Sequence, residues 1–113
     1  MTTPLKFAVV GLGHIGKRHA EMARRQAGCE FVAGCDIRPK EELGVADDFA
    51  FYHDISEMLA KHPEVDVVCI CTPNGLHAAQ AEMALDARHH VVIEKPMALN
   101  RAEGERVLHK ALE

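Results

Sequence analysis

Five short apolar runs punctuate this chain, and a helical pattern or a turn separates each from the next. No other feature limits the fold as strongly. The runs fall at residues 5–10 (LKFAVV), 30–36 (EFVAGCD), 49–52 (FAFY), 65–71 (VDVVCIC) and 90–94 (HVVIE). Several are continuous rather than alternating. A strand that is apolar on both sides is covered on both sides, which is the condition of a parallel sheet with helices on each face. From His14 to about Gln26, Ile15, His19, Met22 and Ala23 fall on one helical face, and Lys17, Arg18, Glu21, Arg24 and Arg25 on the other. Residues 39–44 read as one or two turns of helix. Asp54 starts a helix with Glu57 as its capping-box partner. Residues 76–87 predict another, with Leu76, Ala79, Gln80, Met83 and Ala87 on one face. Asn100 and Glu103 open a last helix that turns Val107, Leu108, Ala111 and Leu112 inward. With right-handed crossovers, the expectation is an α/β fold: a doubly wound, mostly parallel sheet of about five strands, order 3-2-1-4-5, with helices on both faces.

The chain's 113 residues fill one domain, 1–113. Aromatic residues are only 4%, so the core must come from Val, Ile, Leu, Ala and Met. A net charge of −4 argues against a general nucleic-acid binder, which needs a basic excess. No stretch of roughly 18 apolar residues is present to span a membrane. The first apolar run is too short and too glycine-broken for a secretory signal. Cys29, Cys35, Cys69 and Cys71 form no C-x-x-C pair and match no zinc spacing, and the eight His follow no metal-binding pattern. Buried free thiols fit a reducing, cytoplasmic setting.

Gly11-Leu12-Gly13-His14-Ile15-Gly16 is a G-x-G-x-x-G placed after a strand and at the start of a helix, the context in which that spacing carries meaning. Gly11 permits the tight turn, Gly13 lets a pyrophosphate approach the backbone, and Gly16 lets the helix pack on the strand. Free N–H groups around His14 and Ile15, with the helix dipole, supply phosphate donors. Asp36 follows Gly16 by 20 residues, where an acid meets the adenosine ribose hydroxyls of NAD. A carboxylate there repels a 2′-phosphate, so NAD is favoured over NADP. Arg38 pulls the other way, since its guanidinium can stack on adenine or meet that phosphate.

Two further loops follow the fourth and fifth strands on the same sheet edge: Thr72-Pro73-Asn74-Gly75-Leu76-His77 and Glu94-Lys95-Pro96-Met97. Pro73 and Pro96 stop their strands and set the direction of exit. A lysine leaving a buried strand into a cleft is unusual, because its charge must be desolvated unless something pairs with it.

GLGHIG, CDIR, CTPNGLH and EKPMAL, in this order and spacing, resemble the Gfo/Idh/MocA family of glucose–fructose oxidoreductase and inositol 2-dehydrogenase. The resemblance runs from Phe7 to the final helix. It implies a Rossmann domain in which Gly11, Gly13, His14 and Ile15 hold the pyrophosphate and Asp36 and Arg38 meet the adenosine ribose. Thr72, Pro73, Asn74 and His77 lie along the cofactor toward the nicotinamide ribose. Glu94 and Lys95 form the EKP pair, with Lys95 the catalytic candidate that reaches the substrate carbinol. It further implies an NAD(P)-dependent oxidoreductase that moves a hydride between the cofactor and a sugar, cyclitol or nucleotide-sugar hydroxyl. Family members run to over 300 residues, with a second, substrate-binding domain. The chain is therefore expected to be a truncated cofactor platform, inactive alone. A stand-alone nucleotide-binding module or sensor and an S-adenosylmethionine site are the rival readings. With no sixth strand beside it, the apolar 90–94 strand, together with the last helix, predicts a homo-oligomer.

Overall fold

The computed structural model of the chain describes residues 4–72, 76–93 and Ala111. Its elements run β1 (Leu5–Val10), α1 (His14–Arg25), β2 (Cys29–Cys35), α2 (Lys40–Leu43), β3 (Ala50–Tyr52), α3 (Ile55–Lys61), β4 (Val67–Ile70), α4 (His77–Asp86) and β5 (His90–Ile93). The strands form one sheet in the order β3-β2-β1-β4-β5, and every pairing among them is parallel. The expected fold class and strand order are those observed. β2 begins one residue earlier than predicted and leaves Asp36 just beyond its end, while β4 is shorter at both ends.

β1 lies at the centre and is covered on both faces. Ala8 and Val10 enter one core with Ile55, Met58 and Leu59 of α3, Val68 and Ile70 of β4, and Ala84 of α4. Val9 enters the other core with Leu12, Ala20 and Ala23 of α1, Phe31 and Leu43. The period-2 alternation of side chains on a strand accounts for this division. Helices α1 and α2 thus pack on one face and α3 and α4 on the other. Asp54 caps α3, its Oδ1 accepting from the Ser56 N–H at 3.1 Å. Glycine in the left-handed region (φ 66°) ends α2 at Gly44.

Two helix faces differ from expectation. In α1 the buried positions are Gly16, Ala20 and Ala23, whereas Ile15 and Met22 are 44% and 67% exposed. In α4 they are His77, Ala78, Ala81 and Ala84, and Leu76 and Ala79 are exposed. Both helices lie close to the sheet, and a short side chain at the seam allows that approach. The larger apolar residues are displaced to the rim. The last helix, from Asn100, lies outside the described residues except at Ala111, which is helical and exposed rather than inward-facing. Among the described residues, no helix is long and apolar enough to cross a membrane.

Candidate functional site

β1 ends at Val10, and the chain turns sharply through Gly11, whose φ of 89° lies in the left-handed region. A Cβ there would stand 2.8 Å from the Cys71 carbonyl carbon and 2.9 Å from its oxygen. The turn is tied to both neighbours of β1: the Gly11 N–H donates to the Cys35 carbonyl at 2.7 Å, and the Cys71 N–H to the Val10 carbonyl at 2.8 Å. At Gly16 a Cβ would fall 1.7 Å from the Gly11 carbonyl oxygen, so only glycine lets α1 start this close to the turn. Gly13 is different. A Cβ there would meet only the Arg38 Nη2, at 3.5 Å. Gly13 is also the N-cap of α1 and offers no side-chain acceptor. The first-turn N–H groups at His14 and Ile15 are left without a side-chain cap, as an anion site requires.

Asp36 is 7% exposed and faces this loop. Its Oδ2 accepts from the Leu12 N–H at 2.8 Å and from Arg38 Nη2 at 3.0 Å; its Oδ1 accepts from the Arg38 N–H at 2.9 Å and from Arg38 Nε at 3.1 Å. Burial pushes the carboxyl up, but the hydrogen bonds from Arg38 and Leu12 outweigh it and hold Asp36 below the usual carboxylate range. Cys35, the residue before it, has its thiol pushed up to about 12 by burial and by the charges of Asp36 and Asp54. That thiol stays protonated and is no nucleophile.

Gly11, Gly13, Asp36, Arg38 and Thr72 line one cleft of about 580 Å³ at the C-terminal edge of the sheet. Ile37, His53 and Gln80, to which the sequence assigns no site role, line the same cleft. His53 directly follows β3, and its Nδ1 donates to the Asp36 carbonyl at 2.9 Å. Its position at a strand end was the available signal, since ligands in open α/β sheets gather there. His77 is 1% exposed, and its Nε2 donates to the Thr72 carbonyl. Thr72 Oγ1 in turn donates to Gln80 Oε1. His77 is thus tied to Thr72, five residues before it. Ile15 lines a separate hollow on the outer side of α1, and His14 is exposed at the helix start. Pro73, Asn74, Glu94 and Lys95 lie outside the described residues. Among the described residues, no group of three or more His, Cys, Asp or Glu is placed to hold a metal.

A family model described as an oxidoreductase family with an NAD-binding Rossmann fold (GFO_IDH_MocA) matches residues 5–113. Inositol 2-dehydrogenase of Salmonella typhimurium is 36% identical over 109 residues, which are 92% of this chain and 32% of that protein. The 4-carboxy-2-hydroxymuconate-6-semialdehyde dehydrogenase of Sphingobium is 33% identical over 112 residues, 96% of this chain and 35% of that protein. Scyllo-inositol dehydrogenase from Lactobacillus casei, solved with NAD(H) and scyllo-inositol bound, superposes with a TM-score of 0.82 at 33% identity, over 96% of this chain and 33% of that one. The WlbA dehydrogenase from Bordetella pertussis, solved with NADH and UDP-GlcNAcA, gives 0.86 at 34% identity, over 95% and 34%. The chain spans about a third of the length of the curated relatives it matches.

Proposed function

The chain belongs to the Gfo/Idh/MocA oxidoreductase family with its NAD-binding Rossmann fold, and on that footing we propose that residues 1–113 are the dinucleotide-binding domain of a dehydrogenase that prefers NAD to NADP. The carrying observation is one cleft that joins a bare glycine, an uncapped helix start and a buried carboxylate. The backbone at Gly11 and Gly13 and the N–H groups of His14 and Ile15 hold the pyrophosphate. Asp36 accepts from the adenosine ribose hydroxyls and repels a 2′-phosphate, and Arg38 lies beside it. Thr72 lines the path to the nicotinamide end, a role the family resemblance also gives to Pro73 and Asn74, and His77 acts through Thr72. When bound, NAD supplies the hydride acceptor. Lys95, next to Glu94, holds or removes the proton of the substrate hydroxyl.

Relatives named for inositol, a D-glucoside and a solved complex with a UDP-sugar support a sugar, cyclitol or nucleotide-sugar hydroxyl as substrate. The substrate pocket is then completed by a second domain, and the 113-residue chain alone turns nothing over. Four cysteines, none of them in a disulfide, support a reducing, cytoplasmic setting. We infer self-association near β5 and the last helix, which the 45% exposure of Val92 on β5 supports; light scattering showing only a 12.4 kDa species would refute it. Calorimetric titration tests the main reading. NAD should bind, and more tightly than NADP. No binding of either, or tighter binding of NADP, overturns it.

A further inference from the structure

A carboxylate offers about four lone-pair sites, and on Asp36 all four are taken. The backbone N–H groups of Leu12 and Arg38 fill one on each oxygen, at 2.8 and 2.9 Å. The guanidinium of Arg38 fills the other one on each, through Nη2 at 3.0 Å and Nε at 3.1 Å. The two backbone donors are fixed by the fold. The two guanidinium donors sit on a side chain that is 51% exposed, while the carboxylate it grips is only 5% exposed. The same Nη2 is the atom nearest to a Cβ built on Gly13. One half-exposed group thus covers both the acid and the glycine that a dinucleotide approaches.

Withdrawal of the guanidinium frees one acceptor site on each Asp36 oxygen. A vicinal diol carries two hydroxyl donors, so the vacated pair matches a ribose. We propose that Arg38 is a latch: in the free chain it occupies the places on Asp36 that the adenosine ribose diol takes, and dinucleotide binding requires it to release them. Released, the guanidinium stands beside the ribose 2′ position. It then offers a counter-charge to a 2′-phosphate that Asp36 alone would repel. Arg38 therefore sets cofactor specificity from both sides, weakening NAD by competition and tempering the rejection of NADP. The latch rests on the dinucleotide reading of the cleft.

Two measurements on the whole chain test it. The first follows the Arg38 Nε–H signal by ¹H–¹⁵N NMR. Held on a carboxylate, it should exchange slowly in the free chain and lose that protection when NAD is added. The second is calorimetric titration of wild type and Arg38→Met with NAD and NADP. A site that is competent only when open has its apparent affinity reduced by the open fraction. A latch closed about nine-tenths of the time predicts that Arg38→Met binds NAD about tenfold more tightly, and that its preference for NAD over NADP widens. Equal or weaker NAD binding by Arg38→Met overturns the latch, and an unchanged or narrower preference for NAD over NADP overturns the counter-charge. If that variant does not fold, the wild-type signal still decides: an Nε–H unchanged by bound NAD overturns the latch alone. Failure of NAD to bind wild type overturns the cleft reading and the latch with it.

Discussion

Three glycines of one motif stand in three different surroundings, and a Cβ would meet something different at each. At Gly16 the added Cβ meets backbone at 1.7 Å, so α1 or the turn must move. Gly16→Ala should cost about 1–3 kcal/mol or more by overpacking, read as a lower urea midpoint. Gly13→Ala meets only a side-chain tip at 3.5 Å. It should cost about 0.5 kcal/mol as a poorer cap, yet weaken NAD binding markedly, because the phosphate loses its approach. A Gly13→Ala chain with unchanged NAD affinity would remove the pyrophosphate from this loop. Asp36 adds a pH signature. Its folded pKa lies below the unfolded value of about 3.9. Its contribution to stability is therefore complete above that value and is lost as pH falls through the folded pKa. The stability gap between wild type and Asp36→Asn should narrow below about pH 4; a gap constant from pH 7 to 3 would contradict the cause assigned. The placement of Gly11, Gly13 and Asp36 on one cleft was legible because it follows from local backbone geometry and from spacing along one βαβ unit. The guanidinium folding back onto Asp36 was not, because nothing in the spelling Asp36-Ile37-Arg38 says which way a long side chain turns.

Among the elements, strands were easier to read than helix faces. A continuous apolar run of the right length, such as VDVVCIC, has few fates besides a buried strand, and β4 forms there. A helix face is inferred from its largest apolar residues, and here they mislead. The seams of α1 and α4 are built from Gly16, Ala20 and Ala23 and from Ala78, Ala81 and Ala84. Alanine contributes little to an apolar period, but it lets a helix settle onto the sheet, so packing decides the orientation over side-chain size. The consequence is testable with one substitution in two places. Met22→Lys should change stability by no more than about 0.5 kcal/mol, since Met22 is 67% exposed. Ala81→Lys, at a position with no exposure, should cost at least about 3 kcal/mol through steric crowding and a buried charge. Thermal or urea unfolding of the two variants separates the seams; equal losses would restore Met22 to the packed face. His53 was missed for a related reason. β3 has only three residues, and so short an apolar run is a weak sign of where a strand ends.

At the scale of the whole molecule, the cleft exists because the strand order turns at β1. The chain builds outward through β2 and β3, crosses the sheet with α3, and builds outward again through β4 and β5. The loops leaving β1 and β4 therefore diverge to opposite faces, and a crevice opens between them, which is where doubly wound sheets bind ligands. The Gly11 turn and Thr72 both line it. The crevice exists only in the folded chain, because β1, β2 and β4 must be paired before Gly11, Asp36 and Thr72 meet. A ligand held there is bound by the native state and not by the unfolded one. At about 100 times its Kd, such a ligand stabilises by roughly 2.7 kcal/mol. For a domain of about this size, 1 kcal/mol is worth about 4 °C in Tm. NAD at that concentration should thus raise Tm by about 10 °C. Gly13→Ala, whose own Tm should lie close to wild type, should show a much smaller rise at the same NAD concentration. An equal rise in both chains would mean that NAD stabilises the fold from somewhere other than this crevice, and a flat Tm in wild type would mean that the crevice does not take it at all.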